Sequence, residues 1–442
     1  MSLVQTRVDR VAAAEWYARN RRRTRAIFDM IDPAAYYTRP ISLRNPIVFY
    51  EGHLPAFSII AFINRGLGRD GVDPRLEQLF ARGIDPESED NATPRSGAST
   101  VWPPRDEVLQ FAAAADALVD DAIRNAPFDE SRPAMRRAEG LFTALEHEAM
   151  HQETLLYMWH RLPHELKERP GYLRYELRGD APKYAAVRIP SGNATLGAAR
   201  PSTSSGQGIE FGWDNEFDAH TVDVAAFDLD VHSVTNADYL PFVEAGHVEP
   251  PAFWLKQDGE WYWRGMFENI PLPPAWPVYV AYDDAAAYAR SKGRRIMTEA
   301  EHHRASEGVD LHAGHSNFTM WEPVVAGSRP KGMSRWGLHD LVGNGWEWTS
   351  TIFGPFPGFE PMTSYPEYSA DFFDGQHYVM KGASPATARE LIRPSFRNWF
   401  RPNYPYVYAK FRTAADASGA EWASGPTERS EPGGVPGAPP IK

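Results

Sequence analysis

The stretch "ALEHEAMHQETLLYMWH", residues 144–160, combines apolar side chains at helical spacing with two histidines one turn apart. It lies within a longer periodic segment, from about Pro133 to Leu162, which the spacing predicts to be a helix. Residues four apart share a face of a helix, so His147 and His151 can present two imidazoles to one ion. The stretch therefore predicts a long helix that carries part of a metal site.

Other segments with helical periodicity would complete a four-helix bundle, an arrangement that often holds metals between facing helices. They are residues 7–31, 46–68 and 104–126. His53 would add a third imidazole, and three neutral imidazoles leave open positions that suit non-haem iron(II). Glu153 is then expected to be a carboxylate that holds a ligand histidine in its tautomer.

The same helix also satisfies the H-E-x-x-H pattern of zinc peptidases, with Glu148 as the general base. The extended pattern requires Gly and His where the chain has Thr154 and Tyr157, although Glu176 could serve as a third ligand. A further interpretation is that the two histidines bind no ion. The additional histidine at position 53 favours an iron site over a zinc-peptidase site and over histidines that bind no ion.

The composition is that of an acidic, aromatic-rich chain of 442 residues with a formal net charge of -12. This length is enough for two or three domains, and the charge argues against nucleic acid or an anionic membrane as a partner. The chain has no Cys, which excludes disulfides, thiolate ligands and a cysteine nucleophile. No apolar run approaches the roughly 20 residues of a membrane span, and no signal peptide is recognised, so a cytoplasmic location is expected.

A change from long helical periods to short apolar runs predicts a domain boundary near residue 170. We expect a helical metal-binding domain over 1–170 and a loop-rich α+β domain over 171–415. The Pro/Gly-rich segment 416–442 is expected to be a disordered tail. The segment 83–104 is either a substrate-facing loop or a disordered linker.

Four sequence blocks in the second half resemble, in order and spacing, the formylglycine-generating-enzyme-like, or sulfatase-modifying-factor, domain. They are "VDVAAFDLDVHSVTNADYLPFV" (222–243), "PVYVAYDDAAAYARSKGRRIMTEAEHHRA" (277–305), "GLHDLVGNGWEWTS" (337–350) and "VMKGAS" (379–384). In "GNGWEW", glycines permit tight turns while the Trp rings fill a small core. The resemblance implies a C-type-lectin-like α+β fold.

Joined behind a DinB-like four-helix bundle, this domain resembles the ergothioneine sulfoxide synthase family. That resemblance implies that His53, His147 and His151 bind Fe(II). It also implies small-molecule substrates: dioxygen, a sulfur donor, and hercynine, whose imidazole carbon 2 receives the sulfur. The copper enzymes that share the domain oxidise cysteine side chains and depend on cysteines of their own, which this chain lacks.

The chain departs from this family after "WEWT", where two tyrosines three apart are common and one is implicated as a proton donor. Phe353 and Phe356 stand where those tyrosines would align, and Phe has no proton to donate. Both are expected to contact the substrates. Tyr404, Tyr406 or water would then supply protons.

Further departures concern the residues implied to contact substrates. Asn398 and Trp399 match the family's hercynine-contacting pair, whereas Met150 replaces a Gln and Phe400 replaces an Asp that helps hold γ-glutamylcysteine. An apolar pocket disfavours a charged amino-acid thiol and suits a softer, more polarizable donor.

These substitutions favour the selenoneine synthase branch, which resembles the sulfoxide synthases but couples hercynine to a selenosugar through a C–Se bond. The alternative is an ergothioneine-type synthase that joins cysteine or γ-glutamylcysteine to hercynine through a C–S bond. A zinc peptidase and a non-catalytic binding protein are more distant alternatives.

Overall fold

The computed structural model describes residues 8–81, 101–171, 174–200 and 211–417. Its N-terminal part is a helical bundle in which the first helix packs on the fourth and fifth, and the second helix does the same. The helices are α1 (Arg10–Phe28), α2 (Ile47–Ser58), α3 (Pro74–Leu79), α4 (Arg105–Asn125) and α5 (Glu139–Arg161). The DinB-like helical fold predicted for this part is confirmed.

Helix α5 begins later than the periodicity predicts. The residues just before it are not α-helical. Arg137 and Ala138 adopt positive φ angles of 54° and 56°. The apolar pattern continues through this kink, since Ala134 and Met135 are buried there. Sequence periodicity therefore placed the start of the helix six residues early, near Pro133.

Helix α2 continues without a break into a π-helix, Ile59–Leu67, which ends at Gly68 in the left-handed conformation. The combined segment Ile47–Leu67 is long and apolar enough to span a membrane by length and composition, which corrects the expectation that no such run exists. Most of its window, 89%, is buried inside the fold. The segment is therefore placed as the core helix of the bundle, and a π-helix often accompanies a functional site.

The second part, from residue 174 onward, is a mixture of short strands and helices joined by long loops, as predicted. Its helices are α6 (Asn236–Glu244), α7 (Tyr282–Ser291) and α8 (Glu299–Ala305). Its strands are β1 (Ala186–Ile189), β2 (Gly192–Leu196), β3 (His220–Val224), β4 (Phe227–Asp230), β5 (Trp254–Gln257), β6 (Glu260–Arg264), β7 (Asn269–Pro271), β8 (Arg295–Ile296), β9 (Gly345–Ile352), β10 (Tyr378–Ala383), β11 (Asn398–Phe400), β12 (Ala409–Lys410) and β13 (Thr413–Asp416).

The sheets are small and mostly antiparallel. Their strand orders are β1-β4-β13-β8, β11-β10-β9-β12, β2-β3 and β5-β6-β7, with β12 parallel to β9. The sheet built on β9 and β10 matters for function, because β11 presents Asn398 and Trp399 at its edge.

One continuous apolar core runs through both parts of the molecule. Trp159 of α5 and Trp213 and Trp348 of the second part are all less than 2% exposed and belong to it. Sharing a core in this way fixes α5 against the second part. The loop predicted over 83–104 and the tail over 416–442 fall mostly outside the described residues.

Candidate metal centre

Three histidines from two helices meet in the bundle core. His53 of α2 and His147 and His151 of α5 each offer a ring nitrogen, and these atoms lie within 4.8 Å of one another. His53 and His147 are each only 4% exposed. Among the described residues, this is the group of His, Asp and Glu side chains with the spacing of a metal site.

The orientation of His53 is set by one hydrogen bond. Its Nδ1 lies 2.7 Å from the carbonyl oxygen of Phe80, and a carbonyl can only accept, so Nδ1 carries the proton. This leaves Nε2 unprotonated and available as a ligand. A backbone carbonyl thus fixes the tautomer of this ligand, as is usual for metal-binding histidines.

Burial keeps all three imidazoles neutral. It lowers the pKa of His53 to about 4 and lowers the pKa of His147 and of His151 well below the usual range, with the neighbouring imidazoles adding to the effect at both. His151 Nδ1 is buried without a hydrogen-bond partner among the described residues. Three neutral, converging imidazoles can bind a divalent iron ion, so the residues fit the metal that the resemblance implies.

Helix α5 presents different side chains to each neighbour. Glu148 turns away from the histidines toward α1, where its Oε1 accepts from Arg21 Nη1 at 2.9 Å and Thr24 Oγ1 at 2.6 Å. A general base of a zinc peptidase must face the metal, and this carboxylate does not. Glu176, the suggested third ligand, pairs with Arg329 at 2.9 Å instead. The zinc-peptidase interpretation is therefore wrong.

Glu153 does not support a ligand histidine, which corrects the role predicted for it. Its carboxylate is buried and accepts from Trp346 Nε1 at 2.7 Å, Ser384 Oγ at 2.7 Å and Thr387 Oγ1 at 2.8 Å. All three donors belong to the second part of the molecule. Glu153 thus fastens α5 to that part.

Aromatic rings enclose the histidines. Phe57 of α2 stacks on His147 with ring centroids 3.4 Å apart, and Tyr365 lies edge-on to Phe57 at 5.0 Å and 6.1 Å from the His147 ring. Tyr365 comes from the loop between β9 and β10, so the second part of the molecule completes the site.

Tyr368, which was not predicted to belong to the site, contacts both Met150 and Trp399, two of the predicted substrate contacts. Tyr368 Oη donates to Met150 Sδ at 3.3 Å, and the Tyr368 ring lies edge-on to Trp399 at 5.1 Å. Burial raises the pKa of Tyr368 well above its usual range, so its hydroxyl stays protonated at neutral pH. The structure thus brings Met150, Tyr368 and Trp399 together.

Phe353 and Phe356 do not line this site. Phe353 is 1% exposed and stacks on Trp399 at 4.1 Å, so it supports that ring from behind. Phe356 packs in a separate apolar core, edge-on to His220 at 4.5 Å. Both predicted contacts are corrected, because the loop after β9 turns these side chains into the second part's interior.

The remaining predicted contacts lie on β11. Asn398 is half-buried, and its Oδ1 accepts from the backbone N–H of Trp399 at 2.9 Å. Phe400 is half-buried between Tyr404, on which it stacks at 5.1 Å, and Tyr157, which it meets edge-on at 6.5 Å. Tyr404, proposed as a proton source, belongs to this cluster and accepts from Arg44 Nε at 3.1 Å.

Sequence reasoning overlooked Tyr365 and Tyr368, although a signal was present. These tyrosines are three apart, the same spacing as Phe353 and Phe356, and they stand twelve residues further along. The family's tyrosines were aligned with the residues immediately after β9. Tyr365 and Tyr368 lie later in the same loop.

Comparisons with known proteins agree with this two-part architecture. The profile of the sulfatase-modifying factor enzyme 1-like domain matches residues 176–417, and the DinB superfamily profile matches residues 17–155. Ergothioneine biosynthesis protein 1 of Neurospora crassa is 28% identical over 489 residues, covering 86% of this chain and 54% of that protein. This chain therefore spans about half the length of that relative.

Two further comparisons cover different portions of the chain. The hercynine oxygenase of Mycolicibacterium smegmatis is 29% identical over 459 residues, covering 92% of this chain and 100% of that protein. The solved structure of PvdO from Pseudomonas aeruginosa aligns at 20% identity with a TM-score of 0.38, covering 52% of this chain and 94% of its own. Because the first profile match takes in more than half of the chain, the chain belongs to the family of sulfatase-modifying factor enzyme 1-like domains, carried here behind a DinB-type helical bundle.

Proposed function

We propose that the chain is an iron(II)- and dioxygen-dependent enzyme that joins carbon 2 of hercynine to a small thiol, such as cysteine or γ-glutamylcysteine. The observation that carries the proposal is the buried, neutral cluster of His53, His147 and His151, closed on one side by aromatic rings of the second domain. Similarity to a hercynine oxygenase over 92% of the chain supports hercynine as the substrate.

The three histidines would hold the iron, and the bundle would exclude water from it. When bound, iron(II) would supply the electron transfer to dioxygen that the organic substrates cannot perform alone. Neutral imidazoles leave positions of the ion open for substrate and dioxygen.

The atoms of the reaction balance as follows. The hydrogen on carbon 2 of hercynine and the thiol hydrogen are lost, and a carbon–sulfur bond forms between the two molecules. Dioxygen accepts four electrons, two from this coupling and two from oxidation of the sulfur. One oxygen atom then remains on sulfur as a sulfoxide, and the other leaves as water with the two hydrogens.

Aromatic rings beside the histidines provide a place for the betaine group of hercynine. A trimethylammonium group binds favourably over the faces of Trp and Tyr rings, at about 0.5–2 kcal/mol per contact. Tyr368, which contacts Met150, and Trp399, which lies against Tyr368 and stacks on Phe353, suit this contact. The imidazole of hercynine would then face the histidine cluster.

A selenosugar is the second candidate for the donor, with a C–Se bond as the result. The observation that favours it is the apolar character of Met150 and Phe400, which stand where the family has Gln and Asp. A thioether and a phenyl ring match a soft, polarizable selenium donor better than a charged amino-acid thiol. The named relatives support the sulfur donor, which is why we place it first.

The test is anaerobic loading with iron(II), followed by aerobic turnover of hercynine with cysteine, γ-glutamylcysteine, a thiosugar and a selenosugar in separate reactions. We expect a hercynine adduct by mass spectrometry, and its absence with every donor would contradict the function. His147→Ala should abolish the product, whereas His312→Ala, which alters an exposed histidine, should not. An adduct with selenosugar alone would replace the first candidate by the second.

A further inference from the structure

The carbonyl that accepts the His53 Nδ1 proton lies at the end of a short helix. Helix α3 ends at Leu79, and the N–H of Phe80 donates to the carbonyl oxygen of Leu76 at 3.0 Å, so Phe80 still closes the last turn. Carbonyl groups of a last helical turn have no partner inside the helix and carry partial negative charge. The carbonyl of Phe80 finds its partner in His53 Nδ1, at 2.7 Å.

The side chain of Phe80 is fully buried and contacts aromatic rings of two other helices and of the segment before α4. Its ring stacks on Trp102 with centroids 6.1 Å apart, and lies 6.3 Å from both Phe49 of α2 and Phe111 of α4. Phe49 in turn stacks on the His53 ring at 4.9 Å. The Phe80 ring and the histidine that its carbonyl orients therefore belong to one packed cluster.

The Phe80 ring also lies directly on the backbone of α2 at Gly52. A Cβ atom at position 52 would lie 2.4 Å from Cδ2 and Cε2 of the ring and 2.5 Å from Cζ, closer than carbon atoms can approach without a shift. Gly52 is inside a helix and has no positive φ angle, so Ala would ordinarily be the better residue there. Glycine is therefore required by the close approach of the ring and not by the backbone conformation.

We propose that Gly52 and Phe80 are positioning residues of the metal site. The missing Cβ at Gly52 lets the Phe80 ring pack against α2, and this packing places the Phe80 carbonyl on His53 Nδ1. Nε2 of His53 is thereby fixed as the nitrogen that binds the ion. A larger residue at position 52 displaces the ring, and with it the end of α3. The inference rests on the part of the proposed function that gives the three histidines a metal ion.

The experiment is a calorimetric titration of the metal-free protein with cobalt(II), which needs no substrate and no turnover. Loss of the hydrogen-bond partner of a ligand histidine typically lowers metal affinity about 10–100-fold. We expect Gly52→Ala to raise the cobalt(II) Kd by about 10-fold or more, because the added methyl group moves the acceptor away from His53. A Kd equal to that of wild type in a folded Gly52→Ala protein would overturn the inference.

The matched control is Gly66→Ala, in the π-helix that continues α2. A Cβ at position 66 would lie 2.9 Å from Met135 Sδ, so this variant also crowds a buried side of the same helical segment. The crowded neighbour here is Met135 and not Phe80. The cobalt(II) Kd of Gly66→Ala should therefore equal that of wild type. Equal losses of affinity in the two variants would show that crowding alone weakens the site, and would overturn the inference.

A second measurement does not depend on a variant at position 52 that folds. Nitrogen-15 NMR of the metal-free wild-type protein reports which ring nitrogen of a neutral histidine carries the proton, and the signal of His53 is identified by its absence from His53→Gln. We expect the proton on Nδ1 in wild type and on both nitrogens in exchange in Gly52→Ala. A wild-type His53 ring protonated on Nε2 would overturn the inference.

These outcomes separate the inference from the proposed function. If wild type binds cobalt(II) but forms no hercynine adduct with any donor, the proposed reaction fails and the positioning role stands. If the adduct forms and Gly52→Ala binds cobalt(II) as tightly as wild type, the inference fails alone. If wild type binds no divalent ion, the metal site fails, and the role given to Gly52 and Phe80 fails with it.

Discussion

Glu153 shows how a residue can be found by its sequence pattern and still be given the wrong partner. Its spacing after His147 and His151 suggests a role at the metal. On a helix, however, a residue two positions after His151 points about 200° away from it. Its carboxylate therefore faces the second domain and accepts from Trp346, Ser384 and Thr387.

We predict that Glu153→Ala lowers the free energy of unfolding by about 2–4 kcal/mol, because it leaves buried donors unpaired. Loss of the hydrogen-bond partner of a metal ligand typically costs about 10–100-fold in metal affinity. Glu153 makes no hydrogen bond to His53, His147 or His151. The affinity for cobalt(II), measured by calorimetry, should therefore fall by less than about 10-fold. Glu15→Ala, which truncates an exposed side chain, is the control for stability. A large loss of affinity in a well-folded variant would restore the role predicted from sequence.

At the scale of elements, the sequence predicted the helices well and the loops poorly. The apolar period fixes α1, α2, α4 and α5 because each buries one face or all of its surface in the bundle. The course of the loop between β9 and β10 is set by hydrogen bonds from Ser364 to Glu139 and from Ser369 to Asp214, which leave no periodic signal in the sequence. Tyr365 and Tyr368 were missed for this reason.

Strand β9 carries the central feature of "GNGWEW", the buried carboxylate of Glu347. Burial acts to raise its pKa, but the charges of Arg412 and Lys410 outweigh burial and hold it at about 2. Both cations are fully buried and hydrogen-bonded to this carboxylate. The cluster ties β9 to β12 and to the residue that precedes β13.

We predict that Glu347→Gln lowers the free energy of unfolding by about 3–5 kcal/mol near neutral pH, since it leaves two buried cations unpaired. The pKa of Glu347 in the folded state lies below its ordinary value of about 4.3. The ionised carboxylate therefore stabilises the fold at pH values above about 4.3, and this stabilisation is lost as the pH falls toward 2. The difference between wild type and variant should therefore narrow as pH falls below about 4. Unfolding at several pH values would check this, with the exposed Glu260→Gln as control. A difference independent of pH would contradict the charge argument.

At the scale of the whole molecule, the site exists because two domains share one helix. Helix α5 turns its histidines toward α2, while Glu146 and Glu153 lie on the face toward the second domain. The sequence indicated both domains and the three histidines, since each has a local pattern. It could not show which α5 carboxylate meets which partner, because those partners lie 67 to 247 residues away.

Arg393 is the main charged link between the domains. Its guanidinium donates to Glu146 of α5 at 2.7 and 2.9 Å and to Glu216 of the second domain at 2.8 Å. Glu216 is fully buried and Glu146 is 3% exposed, so neither carboxylate can turn to solvent. One cation thus pairs with two buried carboxylates that belong to different domains. The charge of Arg393 outweighs burial at Glu216 and holds the pKa of Glu216 below its usual range, whereas burial dominates at Glu146 and raises its pKa to about 7.

We predict that Arg393→Met lowers the free energy of unfolding by about 3–5 kcal/mol, because both carboxylates lose their counter-charge. Without Arg393 their pKa values rise, so protonation favours the folded state and stability is lost as pH rises. The deficit should be largest near pH 8 and shrink toward pH 5, as measured by thermal unfolding. Arg389→Met, which alters an exposed arginine of the same segment, should show no such deficit. If the deficit did not change with pH, loss of packing around the arginine stem would explain it, and the charge link between the domains would be contradicted.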